Sequence, residues 1–114
     1  MFASQISKIL SKEAPRDFLG VYPADQIPKI KKRAAIVVNT DPHDKEGSHW
    51  LAMYIQEEKT IELFDSYGLP PSVYEPHISQ YAKLFPNVIS NEISLQSLSS
   101  NVCGQYCVLY LLKR

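Results

Sequence analysis

The feature that most constrains the fold is a pair of apolar segments in the middle of the chain. WLAMYIQ (50–56) and TIELFD (60–65) are separated by three charged residues, 57–59. Two strand-prone segments joined by so short a polar stretch favour an antiparallel hairpin. The first segment is apolar at consecutive positions, so we expect its strand to lie in the interior of a sheet.

The N-terminal region predicts a short helix followed by a loop. Ile6, Ile9 and Leu10 recur at helical spacing, and Ser4 is a suitable N-cap residue. The segment FLGVYPADQIPK (18–29) contains two prolines, which interrupt regular structure. We therefore expect this segment to be a loop.

The remaining segments complete an α+β pattern. AAIVV (34–38) predicts a buried strand, NVISNEISL (87–95) predicts one or two short strands, and 102–112 predicts a buried helix because it is apolar nearly all round. An amphipathic helix is expected over 75–85, before a proline. Its apolar positions are Ile78, Tyr81, Ala82 and Phe85. Strands and helices are partly segregated, which favours α+β with a central mixed or antiparallel sheet flanked by helices.

Length and composition set the class of protein. The chain has 114 residues, which corresponds to one domain over 1–114, and its 12 basic and 12 acidic side chains cancel. No apolar segment is long enough to cross a bilayer, and the first residues lack the unbroken apolar segment of a signal peptide. Two cysteines four residues apart do not make a disulfide framework. We expect reduced thiols, no membrane association and an intracellular, reducing location.

The two cysteines differ in their local environment. Cys103 lies at the expected N-terminus of the last helix, where the helix dipole favours a thiolate. Cys107 lies one turn further and is expected to be a small buried hydrophobe. A CxxxC pair without further ligands is a poor metal site, so we expect no metal. Most intracellular cysteines are structural. The position of Cys103 at a helix N-terminus therefore makes it a candidate nucleophile, but does not by itself establish that role.

A cysteine nucleophile needs a base, and the chain has three histidines. His49 lies where a glycine-containing loop meets the buried strand, a rigid position for an imidazole. His43, in a polar loop, and His77, early in a helix, are expected to be solvated. We therefore consider His49 the strongest candidate for the base.

An acid and an oxyanion donor complete the set. If the hairpin forms, Asp65 and His49 lie at the same end of the sheet, and the carboxylate can orient the imidazole. Asp65 is equally suited to open the turn DSYG, and its position alone leaves both interpretations open. The loop before the last helix offers Gln96, Asn101 and the backbone N–H of Cys103 as oxyanion donors, and spacing does not select among them.

Taken together, these residues resemble a known family. His-Trp at 49–50, FDSYG (64–68) and QSLSSNVCGQYC (96–107) resemble the adenovirus-type cysteine endopeptidases, adenain and its relatives in virophages and large DNA transposons. The resemblance extends to FLGVYP (18–23) and to 34–52, and it covers about residues 18–112. Proteases that process SUMO-like and ubiquitin-like modifiers share the fold and the triad.

The resemblance implies a role for each matching residue. Cys103 would be the nucleophile, His49 the general base, Asp65 the acid that orients His49, and Gln96 the side-chain oxyanion donor. Adenovirus enzymes generally have Glu as the acid, whereas the modifier proteases have Asp.

The resemblance also implies a substrate class. Trp50 and Gly104 would line a narrow substrate channel, which favours cleavage after small, Gly-type residues in capsid and core precursors, in the host cell or the virion. The alternatives are an isopeptidase for a ubiquitin-like modifier and a non-catalytic binding module with the same fold.

Three features differ from adenain. The chain stops at Arg114, where adenain continues with further helices, so we expect a minimal version of the fold or the core of a longer protein. No cysteine precedes Cys103, which excludes a covalently tethered activator but not a non-covalent activating peptide. The chain is neutral and its one basic cluster is KIKKR (29–33), so DNA stimulation is a weak expectation. The sequence does not indicate an oligomeric state.

Overall fold

The computed structural model describes residues 3–13, 17–30, 32–41, 49–56, 59–69, 71–74, 76–91 and 103–112. Within these ranges the protein is α+β, with a five-stranded mixed sheet and three α-helices. The helices are α1 (Ala3–Glu13), α2 (His77–Ala82) and α3 (Cys103–Leu112). The strands are β1 (Phe18–Tyr22), β2 (Ala34–Asn39), β3 (Trp50–Gln56), β4 (Thr60–Phe64) and β5 (Asn87–Ser90). Short 3-10 helices form at Ala24–Gln26 and Pro71–Val73.

The strands lie in the sheet in chain order, β1 to β5. The central pairs, β2 with β3 and β3 with β4, are antiparallel, whereas β1 pairs with β2 and β4 with β5 in parallel. The predicted hairpin is therefore confirmed, as is the interior position of its first strand. Because β3 has a neighbour on each side and helices or loops on both faces, its five central residues are all buried.

Alternation along the strands divides the core into two clusters, one on each face of the sheet. One face packs against α2 and the loop after β1, through Met53, Ile61 and Ile78 among others. The other face packs against α1 and α3, through Leu10, Tyr54 and Cys107 among others. The predicted helical face of α1 is confirmed, since Ile6 and Leu10 are fully buried.

The first predicted loop was wrong at its N-terminal end. Phe18–Tyr22 forms strand β1, and its hydrogen-bond partners come from β2, residues 34–39. A register shift between Phe18 and Gly20 interrupts the alternation that would have marked the strand locally. Pairing with a distant strand therefore decides this element, and local propensity does not.

The predicted helices needed three corrections, two of them to helix boundaries. α1 starts at Ala3, so Ser4 lies in the first turn, where backbone N–H groups need no intrahelical acceptor. The helix expected over 75–85 is shortened to α2, because the N–H groups of Leu84 and Phe85 bond to carbonyls three residues back in a tightened last turn before a proline. Its four predicted apolar positions are nevertheless all buried.

The third correction concerns the last helix. Helix α3 forms as predicted, but its burial is one-sided: Cys107, Val108 and Leu111 are buried, whereas Gln105 and Leu112 are exposed. Of the segment 87–95, one strand, β5, is described, and 92–95 lie outside the described residues. None of the helices described is long and apolar enough to cross a membrane.

The contact between α1 and the core can be tested with two substitutions on the same helix. Leu10→Ala removes a fully buried side chain and should lower the free energy of unfolding by about 2–5 kcal/mol. Lys8→Ala, at an exposed position of α1, should change it by less than about 0.5 kcal/mol. Urea unfolding followed by circular dichroism measures both. Equal effects of the two substitutions would contradict the described packing.

Candidate functional site

His49 and Asp65 meet at one end of the sheet. His49 directly precedes β3, Asp65 directly follows β4, and the antiparallel register pairs Ala52 with Phe64. The imidazole Nε2 lies 2.6 Å from Oδ1 of the carboxylate, and the two residues are only 4% and 3% exposed. The backbone of His49 is also held, because its carbonyl accepts the Thr40 N–H at 3.0 Å. The predicted juxtaposition of the two residues is therefore confirmed.

Asp65 opens a tight turn at the same time. Its carbonyl accepts the Gly68 N–H at 2.8 Å, and its Oδ1 accepts the Tyr67 N–H at 2.9 Å. Gly68 has φ of 75°, a left-handed conformation that glycine adopts without strain. The chain can therefore fold back, and the Leu69 N–H then reaches Oδ2 at 3.3 Å. The two interpretations that the sequence left open for Asp65 are both correct.

Two further side chains hold Asp65, and the sequence analysis missed both. The Tyr74 hydroxyl donates to Oδ2 at 2.5 Å. The Asn91 side chain accepts the Asp65 backbone N–H at 2.8 Å and donates to the Asp65 carbonyl at 2.5 Å. Asn91 directly follows β5, so its side-chain amide continues the parallel pairing after the strand ends. For Asn91, the only signal in the sequence for this role was a polar residue where a strand ends.

The hydrogen bonds determine the charge state of Asp65. Burial raises the pKa of its carboxyl group, but hydrogen bonds from His49, Tyr74 and the Tyr67 backbone outweigh burial, and the pKa lies below its ordinary value of 3.8. The carboxylate is therefore ionised at neutral pH. A buried, ionised carboxylate that accepts several hydrogen bonds has a fixed orientation, which is what it needs to orient an imidazole.

The imidazole plane is fixed by an aromatic stack. The His49 and Tyr67 rings are stacked, with centroids 4.1 Å apart and planes 11° apart. The Tyr74 ring is tilted against the imidazole at a centroid distance of 6.0 Å. Because Nε2 faces Asp65, Nδ1 is the ring nitrogen that would exchange a proton with a nucleophile.

Helix α3 begins with Cys103 and is attached to the same strand that leads into Asp65. Its Tyr110 ring stacks on Phe64 at 4.6 Å, and the Tyr110 hydroxyl donates to buried Glu62 at 2.7 Å. Glu62 also accepts a hydrogen bond from Gln56 of the neighbouring strand. Cys103 precedes Tyr110 by seven residues, which corresponds to about 10 Å along a helix axis.

The other predicted site residues have different outcomes. Cys107 is fully buried in the core cluster shared with α1, as predicted. Trp50 is half-buried on the sheet face that α3 covers, and Gly104 is the second residue of α3. Gln96, Asn101, His43 and the side chain of Cys103 lie outside the described residues, so the structure does not describe their distance from His49.

Three further observations concern residues away from the contact between His49 and Asp65. His77 is at the first position of α2 and lines a cleft with Asp25 and Tyr81. In the basic cluster, Lys29, Lys32 and Arg33 are exposed, and residue 31 lies outside the described ranges. Within the described part of the chain, no three His, Cys, Asp or Glu side chains are grouped in a way that could hold a metal ion.

Comparison with known proteins relates the chain to a viral protein. The chain is 29% identical over 86 residues to the uncharacterized protein V9 of Sputnik virophage, and the alignment covers 60% of this chain and 49% of V9. The chain therefore spans about half the length of that relative. No family model matches the chain.

The charge state of Asp65 makes stability depend on pH. Asp65→Asn places an amide NH2 where the carboxylate accepts N–H or O–H donors, and should lower the free energy of unfolding at pH 7 by about 2 kcal/mol. A folded-state pKa below the ordinary 3.8 means that the carboxylate stabilises the fold fully above that pH and progressively less as the pH falls below it. The difference between wild type and Asp65→Asn should therefore shrink below about pH 4. A difference that stays constant in urea unfolding from pH 7 to pH 3 would contradict this.

Proposed function

We propose that this protein is a cysteine endopeptidase of the adenovirus type, with Cys103 as the nucleophile and His49 and Asp65 as its base and orienting acid. The observation that carries the proposal is the buried contact of 2.6 Å between His49 and Asp65, residues that lie 16 positions apart in the chain. A buried ionised carboxylate held on an imidazole nitrogen is the arrangement that nucleophilic catalysis requires of a base and its orienter.

The position of α3 supports the choice of nucleophile. Tyr110 attaches this helix to Phe64 and Glu62, in the strand that ends next to Asp65. Cys103 is the first residue of the helix, where the dipole favours a thiolate over a thiol. Cys107 is fully buried among apolar residues, an environment that disfavours the thiolate.

The reaction would be hydrolysis by acyl transfer. The Cys103 thiolate attacks the scissile carbonyl carbon, and the side chain of Gln96 and the Cys103 N–H stabilise the oxyanion. The C–N bond breaks as His49, protonated on Nδ1, gives its proton to the leaving amine, and a thioester remains. His49 then accepts a proton from a water molecule that attacks the thioester. The C–S bond breaks, which releases the acid and restores the thiolate with protonated His49.

The expected substrates are precursor polypeptides of a virus or virus-like element, cleaved after small, Gly-type residues. Similarity to a virophage protein supports this setting, in an infected host cell or a virion. Trp50, half-buried on the sheet face that α3 covers, and Gly104 would narrow the channel beside the nucleophile. A non-covalent activating peptide is compatible with this proposal, whereas nucleic-acid stimulation has weak support from the exposed basic residues.

A second enzyme class is favoured by one observation. The acid paired with His49 is an aspartate, which the modifier proteases also use, so an isopeptidase for a ubiquitin-like protein is the alternative. A non-catalytic binding module with the same fold would keep the core but would not need a reactive thiol.

The decisive experiment compares the two cysteines. Cys103→Ala should abolish cleavage of Gly-containing peptides, with a loss of at least about 1000-fold in kcat/KM. Cys107→Ala is the matched control: it should keep kcat/KM near that of wild type and lower the free energy of unfolding by about 1 kcal/mol through lost packing. Iodoacetamide should modify Cys103 faster at neutral pH than it modifies a model thiol, and His49→Ala should remove that difference.

The outcomes separate the three functions. Cleavage of unstructured peptides supports the endopeptidase. Labelling of Cys103 by a ubiquitin-like C-terminal probe without peptide cleavage would replace it with the isopeptidase. A Cys103 thiol no more reactive than a model thiol, with no activity lost in Cys103→Ala, would overturn the enzyme proposal and leave the binding module.

A further inference from the structure

Tyr74 lies between the acid and the α2 face of the core. It follows the 3-10 helix Pro71–Val73, nine residues after Asp65, and its ring packs against the core cluster that includes Met53 and Ile78. Its hydroxyl donates to Oδ2 of Asp65 at 2.5 Å. One end of the side chain is thus anchored in the core and the other end contacts the carboxylate.

The two oxygens of Asp65 have different partners. Oδ1 contacts Nε2 of His49 at 2.6 Å and accepts the Tyr67 N–H at 2.9 Å. Oδ2 accepts the Tyr74 hydroxyl at 2.5 Å and the Leu69 N–H at the longer distance of 3.3 Å. Rotation of the carboxylate about its Cβ–Cγ bond would break the bonds of both oxygens together. Tyr74 makes the shorter of the two bonds to the oxygen that His49 does not use, so its hydroxyl opposes this rotation.

From this geometry we propose that Tyr74 is a positioning residue for His49 and acts through Asp65. Its hydroxyl fixes the plane of the carboxylate, and the carboxylate in turn fixes the tautomer and orientation of the imidazole. The catalytic consequence of this inference rests on the proposed peptidase function, whereas the structural coupling of the three side chains does not.

Electrostatics agree with this role. Burial raises the pKa of Asp65, and hydrogen bonds from His49, Tyr74 and the Tyr67 backbone bring it below the ordinary value. Within the described part of the chain, His49 and Tyr74 are the titratable side chains that contact this carboxylate. Loss of the Tyr74 hydroxyl would therefore move the pKa of Asp65 upward and leave its carboxylate freer to rotate away from the imidazole.

The chain provides a matched control for a lost tyrosine hydroxyl. Tyr81 also belongs to the core cluster that includes Met53 and Ile78. Its hydroxyl donates at 2.9 Å to the backbone carbonyl of Pro28 rather than to the site. Tyr81→Phe thus removes a comparable hydrogen bond without touching Asp65. An effect on the His49 resonance and the Asp65 titration that only Tyr74→Phe shows is therefore the effect expected of the bond to the carboxylate.

The test combines NMR with kinetics on the full chain. In wild type and Tyr81→Phe, a proton resonance of the His49 Nε2–H bonded to Asp65 should appear far downfield, and Tyr74→Phe should broaden or shift it. The pKa of the Asp65 carboxyl, followed by its 13C chemical shift, should rise in Tyr74→Phe only. With a cleavable peptide, Tyr74→Phe should lower kcat by about tenfold at unchanged KM.

The outcomes distinguish this inference from the proposed function. If Tyr74→Phe leaves the His49 resonance and the Asp65 titration as in wild type, or if Tyr81→Phe changes them equally, the positioning role is wrong. If wild type cleaves no peptide, the peptidase proposal fails, yet the two NMR measurements still decide whether Tyr74 positions His49. If wild type is active and kcat of Tyr74→Phe is unchanged, the catalytic consequence is overturned.

Discussion

The contact between His49 and Asp65 is the interaction on which the candidate site depends. Both residues are almost completely buried at the end of two antiparallel strands, where an unpaired carboxylate would be costly. The surrounding structure offsets this cost with hydrogen bonds: a glycine-dependent turn supplies two backbone N–H groups, and Tyr74 supplies a hydroxyl. Asn91 holds the peptide unit of Asp65 itself. The acid is thus held through its backbone and through both carboxylate oxygens.

A second polar contact connects the helix that starts at Cys103 to β4, the strand that leads into Asp65. Glu62, on the face of β4 that α3 covers, bonds to Tyr110, and the ring of Tyr110 stacks on Phe64. One strand therefore carries the helix contact at Glu62 and Phe64 and the acid at Asp65. Alternation of side chains across the sheet lets the strand serve both faces, which explains how a chain of 114 residues combines a core and a site.

Much of this arrangement can be predicted from local sequence, and the reason is physical. The hairpin brings His49 and Asp65 together because an antiparallel register with a short connection places the ends of the two segments side by side. The buried positions of α1 and α2 follow from helical spacing. Strand β1 could not be predicted in this way, since its pairing with β2 is set by parallel strand contact and its alternation is interrupted near Gly20. The shortened α2 likewise reflects a local competition between helix and proline that spacing does not resolve.

The sequence by itself determined strands β2 to β5, the helix that begins at Cys103 and the meeting of the histidine with the acid, because each depends on patterns within about 20 residues. Only the tertiary structure decided which side chains hold Asp65 and which contacts hold helix α3 against β4. Asn91 reaches Asp65 across 26 positions and Tyr110 reaches Glu62 across 48, contacts that no local pattern encodes. It also decided that Asp65 opens its turn and orients His49 at once, because the carboxylate has two oxygens and the fold supplies donors to each.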